Sequence, residues 1–172
     1  MYDVVKRLHL DINYTADGTF YKQVLYGQTC PYEVEFFDLQ DNEGASLTIL
    51  PAFGNKGVEL TGFVRGEEKS DQSVKALFND TVSTPVGKLL IKPMTGAETC
   101  KEPVYVSRSG LQSATAAYSS KLNVSLNDEK STVINLSLED VCIQRAEDVL
   151  NTLIAVYNEN WVKDKNQIAV ST

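Results

Sequence analysis

Histidine and cysteine are scarce in this chain, and their scarcity narrows the chemistry open to it. One histidine, His9, stands in 172 residues. A Ser-His or Cys-His hydrolase therefore has a single base to draw on, with the loop residue Cys30 as the one nucleophile that suits it. His9 falls on the polar face of an alternating run beside Asp11, where a surface role is the simpler reading. The three cysteines, Cys30, Cys100 and Cys142, form no C-x-x-C pair and have no histidine at ligand spacing, so no metal site is expected. One disulfide plus a thiol suits an oxidising compartment, and three thiols a reducing one. The count leaves both open.

Long apolar runs and basic blocks are missing too. No stretch approaches the roughly 20 apolar residues that span a bilayer. Met1 to Arg7 lacks the ordered charge, apolar core and cleavage site of a signal peptide. The 16 Lys and Arg are scattered among 23 Asp and Glu, for a net charge of −7, which excludes a phosphate-backbone binder and predicts no nucleic-acid partner. Gly54-Asn55-Lys56-Gly57 lacks the full phosphate-loop pattern and a following helix, so no nucleotide cofactor is expected. The acidic stretches 38–43 and 67–71 lack the order of a calcium loop. Glu33 and Glu35 share a strand face and resemble a glycosidase carboxylate pair, but a solvated sheet face explains them better. No catalytic, cofactor-binding or metal-binding residue is assigned, and the chain is expected not to be an enzyme.

Hydrophobic residues make up 42% of the chain and charged ones 23%, near globular averages, so a packed core is expected. Period-two alternation marks strands at His9–Tyr14, at Tyr32–Phe36 and through a β-rich middle up to Phe78. Asp17-Gly18 is hairpin chemistry leading into a return strand from Phe20 to Tyr26. Thr81 to Pro93 reads as a turn and a strand, and Val104 to Val106 as another. Ser109 is placed to cap a helix over 110–120. Lys121–Leu126 and Thr132–Leu138 form a predicted hairpin with Leu122, Val124 and Leu126 inward. Ile143, Ala146, Val149, Leu150, Leu153, Ile154 and Tyr157 then recur on one face of a helix over 143–168, with Arg145 on the polar side. Phe36-Phe37 and Tyr105 are candidate sugar-stacking aromatics, more simply core. Trp161, beyond the best apolar stripe, is expected to be exposed and to suit a partner helix or subunit.

These patterns predict an α+β protein: a mixed β-sheet backed by helices, with a β-rich antiparallel insertion. The expected organisation is a single domain over 1–172, with 1–19 and 81–172 as an α/β base and about 20–80 as the insertion. Both ends look cut. Helical spacing at Met1, Val4, Val5 and Leu8 has no capping residue before it, and the last helix is unfinished at Thr172, as in an excised segment of a longer protein.

The text Val133-Ile134-Asn135-Leu136-Ser137-Leu138-Glu139-Asp140, followed after four residues by Arg145-Ala146-Glu147-Asp148-Val149-Leu150-Asn151-Thr152-Leu153 and Tyr157-Asn158, resembles the bacterial polysaccharide chain-length determinants, or polysaccharide co-polymerases. It is similar to the periplasmic part of the tyrosine autokinases of capsule and exopolysaccharide export. Thr84-Pro85-Val86-Gly87-Lys88-Leu89-Leu90-Ile91-Lys92-Pro93 resembles a second family segment. Leu8–Tyr14, Leu25-Tyr26-Gly27 and Pro31-Tyr32-Glu33-Val34 resemble the start of the insert of the autokinase branch. One departure is Ile143, where the family often has the Pro that suits a first helical position, with Cys142 at the cap.

The resemblance implies a periplasmic domain held in the bacterial inner membrane by helices outside this chain. It implies a homo-oligomer formed through the full-length protein and a non-catalytic role in chain length and export of capsular polysaccharide, exopolysaccharide or O-antigen. Its implied partners are a polysaccharide polymerase and the outer-membrane export machinery, with the nascent glycan a further candidate. A tyrosine kinase, where the parent has one, is a separate cytosolic region. The alternative is a free-standing secreted or periplasmic carbohydrate-binding module.

Overall fold

The computed structural model describes residues 1–52, 56–126 and 132–170, with nothing said of the side chains of 169 and 170. The described residues hold three α-helices and twelve strands, an α+β protein as the patterns predict. Where a mixed sheet was expected, the strand pairs are antiparallel.

The chain forms two compact units. Unit 1 joins Met1–Leu10 to Ala114–Thr172, and unit 2 is Asp11–Ser113. The β-rich segment expected over about 20–80 is therefore wider at both ends. The reason is a long-range ladder: β1 (Ile12–Asp17) pairs with β10 (Val104–Arg108), setting Ile12 opposite Arg108 and Ala16 opposite Val104.

Unit 2 holds β1 to β10. The others are β2 (Lys22–Leu25), β3 (Tyr32–Phe36), β4 (Ala45–Ala52), β5 (Gly57–Arg65), β6 (Glu68–Ser70), β7 (Val74–Leu77), β8 (Thr81–Thr84) and β9 (Gly87–Pro93). Seven strands make one sheet, in the order β2-β1-β10-β4-β5-β6 with β7 also on β5, and β3-β9-β8 make a second. The two share one core. Alternation sends Tyr32 and Val34, Leu47 and Ile49, Leu89 and Ile91, and Val104 and Val106 into it, each nearly or fully buried.

One departure from period two has a visible cause. Leu60 and Phe63 are both buried although three residues apart. The β4–β5 register slips between Ser46 and Thr48, and Gly62 there has φ +62, so an extra residue bulges out and re-aims Phe63 inward. Gly57–Arg65 is thus one continuous, bulged strand. The acidic stretch 67–71 likewise falls in a hairpin, with β6 in its return arm.

The Thr84-Pro85-Val86-Gly87 turn joins β8 to β9. Gly87 has φ +105, and a Cβ there would lie 2.8 Å from the Asp38 Cβ, so only glycine fits. Asp38 Oδ2 accepts the Lys88 N–H at 2.8 Å and the Phe37 N–H donates to the Lys88 carbonyl at 3.0 Å. On the outer edge of β3, the Val34 N–H is satisfied by the Tyr14 hydroxyl at 2.9 Å, whose burial raises its pKa.

Unit 1 contains α1 (Tyr2–Arg7), β11 (Leu122–Leu126), β12 (Ile134–Leu138) and α3 (Ile143–Val170). The helix α2 (Leu111–Lys121) enters it from Ala114 onward. Among the described residues its buried apolar side chains are Val4, Val5, Leu10, Ala114, Tyr118, Val149 and Val156. α1 packs on α3, and Arg7 donates to both oxygens of Glu159 at 3.0 and 2.9 Å. Among the described residues no helix is long and apolar enough to cross a membrane.

Candidate interaction site

The strand-to-helix segment of unit 1 begins with an electrostatic lock. The Asp140 side chain is fully covered and that of Arg145 is 9% exposed. Arg145 Nε donates to Asp140 Oδ2 at 2.8 Å and its Nη2 to Oδ1 at 2.6 Å. Asp140 Oδ1 also accepts the Cys142 N–H at 2.9 Å, so this carboxylate caps the helix from two residues upstream of the Cys142 position. Burial opposes the charge on Asp140, but the Arg145 guanidinium and the Cys142 amide outweigh it and hold its pKa below the usual carboxylate value. Tyr118 lies near the pair, its pKa raised by burial. The Asp140-x-x-x-x-Arg145 spacing was the missed signal, because a lone arginine on a helix reads as solvated.

Burying Arg145 fixes the rotation of α3. The seam facing the unit 1 core is Arg145, Val149 and Val156, with Thr152 and Leu153 half-buried. The stripe predicted to be core is split: Val149 is inside, whereas Ile143, Ile154 and Tyr157 are exposed. Leu150, Ile154, Tyr157 and Trp161 follow at spacings of four, three and four, forming a second apolar seam about 130° around the helix from the first. Tyr157 is 68% and Trp161 53% exposed, with the Lys165 ammonium 4.6 Å above the Trp161 ring. Trp161 is exposed as the sequence suggested.

The hairpin next to it shows the same unfinished character. Leu122, Val124 and Leu126 pair across the ribbon with Leu138, Leu136 and Ile134, so six apolar side chains share one face. Asn123 opposite Ser137 and Ser125 opposite Asn135 make the other face polar. Val124, Leu126 and Ile134 are exposed, contrary to the expectation that the apolar positions of this hairpin turn inward. A two-stranded ribbon offers no second layer to cover them. The turn expected at 127–130 lies outside the described residues.

The remaining candidates are divided between the two units. His9 sits in a turn with φ 50, because β1 starts at Ile12 rather than at His9, and it belongs to unit 1, whereas Cys30 belongs to unit 2. The Cys30 thiol donates to the Tyr32 carbonyl at 3.1 Å, and burial pushes its pKa up to about 11, opposite to what a nucleophile needs. Glu35 is paired with Lys92, opposite to the arrangement of two free carboxylates. Ser109 gives both its amide and hydroxyl to the Asp11 carbonyl, at 2.8 and 3.4 Å. Phe36 packs on the unit 2 core, Phe37 is exposed, and the Tyr105 hydroxyl donates to Asp17 at 2.8 Å beneath the Lys22 ammonium. Part of Gly54-Asn55-Lys56-Gly57 lies outside the described residues.

Unit 2 also has a surface groove of about 770 Å³ beside Asn42, Glu43, Arg65, Glu67, Glu68 and Pro85. Arg65 is engaged there by Glu43 at 3.1 Å and by the Asp38 carbonyl at 3.4 Å. Its lining has no aromatic platform of the kind sugar sites use. The apolar seam and ribbon of unit 1 are therefore the surfaces best suited to binding something.

No model of a known protein family matches the chain, and a search of curated proteins finds no match to it. Class assignment rests on the fold itself: a β-rich unit and an α+β unit, both built on antiparallel ladders, the α+β unit carrying a long helix with an exposed apolar seam.

Proposed function

We propose that this chain is the periplasmic domain of a membrane-anchored polysaccharide co-polymerase of the tyrosine-autokinase branch. It acts as a non-catalytic scaffold that self-associates and governs the chain length and export of capsular polysaccharide, exopolysaccharide or O-antigen. The observation that carries this reading is the second seam of α3, with Ile154, Tyr157 and Trp161 exposed on a helix that runs on to Val170. Aromatic side chains on such a seam are the usual anchors of an interface, worth about 2 kcal/mol or more each when buried in a pocket.

The family-like patches also support the reading by their pairing. Pro31–Val34 and Lys88–Pro93 lie far apart in sequence yet share the β3–β9 ladder, with Tyr32 opposite Pro93 and Val34 opposite Ile91. The tight Thr-Pro-Val-Gly turn that introduces the second patch needs Gly87 where it stands.

The mechanism is geometric. Copies of the domain pack beside one another while membrane helices outside this chain anchor them next to the polymerase and the export machinery. Subunit packing and tether length set how long a glycan stays engaged, and no residue here takes part in bond making. Cross-linking of the full-length protein in membranes tests this. A ladder of homo-oligomers is expected, reduced at least tenfold by Tyr157→Glu with Trp161→Glu, about 1.4 kcal/mol or more of lost association. A monomer that binds glycan saturably in isolation would instead identify a carbohydrate-binding module.

A further inference from the structure

The seven-stranded sheet of unit 2 has a second face, turned away from the core. Val104 and Val106 on β10 and Leu47 and Ile49 on β4 point into the core, so Tyr105 and Thr48 lie on the opposite side, with Thr15 of β1 next to Tyr105. Val24 continues this row onto β2 and Thr61 onto β5. The adjacent row is Asn13, Ser107 and Ser46. Across five antiparallel strands the Tyr105 row is about 19 Å wide.

An outward sheet face is ordinarily kept wet by charged side chains. In a chain with 23% charged residues, these two rows carry none. The charges stand at the margin, where Asp17 faces Lys22 across the β1–β2 ladder. Asp17 accepts the Tyr105 hydroxyl at 2.8 Å, and the Lys22 ammonium lies 4.6 Å from the centre of the Tyr105 ring. An ammonium on an exposed ring is weakly held and readily displaced. Thr15, Thr48 and Thr61 make no side-chain hydrogen bond among the described residues, and none of their hydroxyls is enclosed. The strip therefore offers one aromatic ring flanked by free hydroxyls. A polyanion would need clustered cations, and a lipid surface or an amphipathic helix a contiguous apolar patch. A neutral glycan presents the matching chemistry: C–H faces that stack on a ring, and hydroxyls that both donate and accept.

We propose that this face of unit 2, centred on Tyr105, is a contact surface for the uncharged sugar rings of a glycan. One ring displaces the Lys22 ammonium and stacks on Tyr105, while Thr15, Thr48 and Thr61 exchange hydrogen bonds with hydroxyls of that ring and its neighbours. Asp17 holds the phenol and is a positioning residue. A flat, shallow strip grips weakly in one copy, and several copies side by side hold one glycan far more firmly. The inference rests on the co-polymerase reading for the source of the glycan and for that multiplication.

The test is an NMR titration of the isotope-labelled chain with short fragments of the surface polysaccharide purified from cells that make the protein. Amide shifts are expected at Thr15, Tyr105 and Thr48, growing in proportion to fragment concentration without saturating. Tyr105→Ala should cut them at least fivefold, whereas Tyr105→Phe, which keeps the ring, should retain most of them. Thr48→Lys leaves the ring in place and should also weaken them, which guards against misfolding of the alanine variant. Oligogalacturonate, a polyanion, should give no shifts. In membranes, Tyr105→Ala should lower the glycan retained by the full-length protein at least fivefold with its homo-oligomer ladder unchanged. Shifts absent from this face, shifts undiminished in Tyr105→Ala, or a stronger response to oligogalacturonate would each overturn the assignment. That failure would leave the oligomeric scaffold intact. Loss of the homo-oligomer ladder, or saturable binding by the monomer, would remove the co-polymerase reading and leave this surface standing.

Discussion

Arg145→Ala is expected to lower stability by about 3 kcal/mol, read as a shift of the urea midpoint. The substitution removes both guanidinium bonds to Asp140 and leaves a covered carboxylate with the Cys142 amide as a remaining donor. The cost is mainly that of an uncompensated buried charge, so adding Asp140→Ala should recover part of the loss. The pH dependence has a fixed sign. Asp140 is held below its ordinary pKa in the folded protein, so its charge contributes stability above the unfolded value of about 4. That contribution is lost as pH falls through the lower folded value. The stability gap between wild type and Asp140→Asn should stay level from pH 5 to 8 and close on acidification below about 4. A gap that stays constant down to pH 3 would contradict this assignment.

Arg108→Ala should cost still more in unit 2, about 4 kcal/mol. Arg108 Nε donates to Asp11 Oδ2 at 3.1 Å, and both side chains are under a tenth exposed. Its Nη1 reaches the Gln40 carbonyl at 3.0 Å and the Glu43 carbonyl at 3.1 Å, so one guanidinium ties β1, β10 and the loop before β4 together. A lysine is a point charge and cannot present this fork, so Arg108→Lys should recover less than half of the loss. Urea unfolding and amide exchange over residues 40–44 check both effects. A lysine variant as stable as wild type would show that charge alone, without the fork, holds this corner.

The strands that alternate cleanly were legible because one face of each lies in a core. Tyr32 and Val34, or Val104 and Val106, carry that signal locally. The bulge at Gly62 was not legible, since a register slip belongs to two strands at once and a glycine in a strand run has several meanings. The unit boundaries at Leu10 and Ser113 were missed for a related reason: the β1–β10 ladder joins residues that share no local pattern. The hairpin of β11 and β12 was legible as a hairpin, but its burial was not, because alternation marks an apolar face without saying what covers it. On α3 the apolar count supported two seams, and the Asp140–Arg145 pair selected which faces the unit 1 core. No catalytic residue was assigned from sequence, and the burial of Cys30 and the engagement of Glu35 by Lys92 are matters of packing that local spacing does not report.

The central claim, that this domain sets polysaccharide length as a scaffold, is tested most directly by the size distribution of the glycan. Cells lacking the full-length protein would be supplied with the wild type or with Tyr157→Glu/Trp161→Glu, and their surface and secreted polysaccharide resolved by gel electrophoresis. A scaffold predicts a defined modal length with the wild type, and loss of that mode both in the deletion and in the double variant at equal protein abundance. An unchanged length distribution and undiminished export in the deletion strain would contradict it.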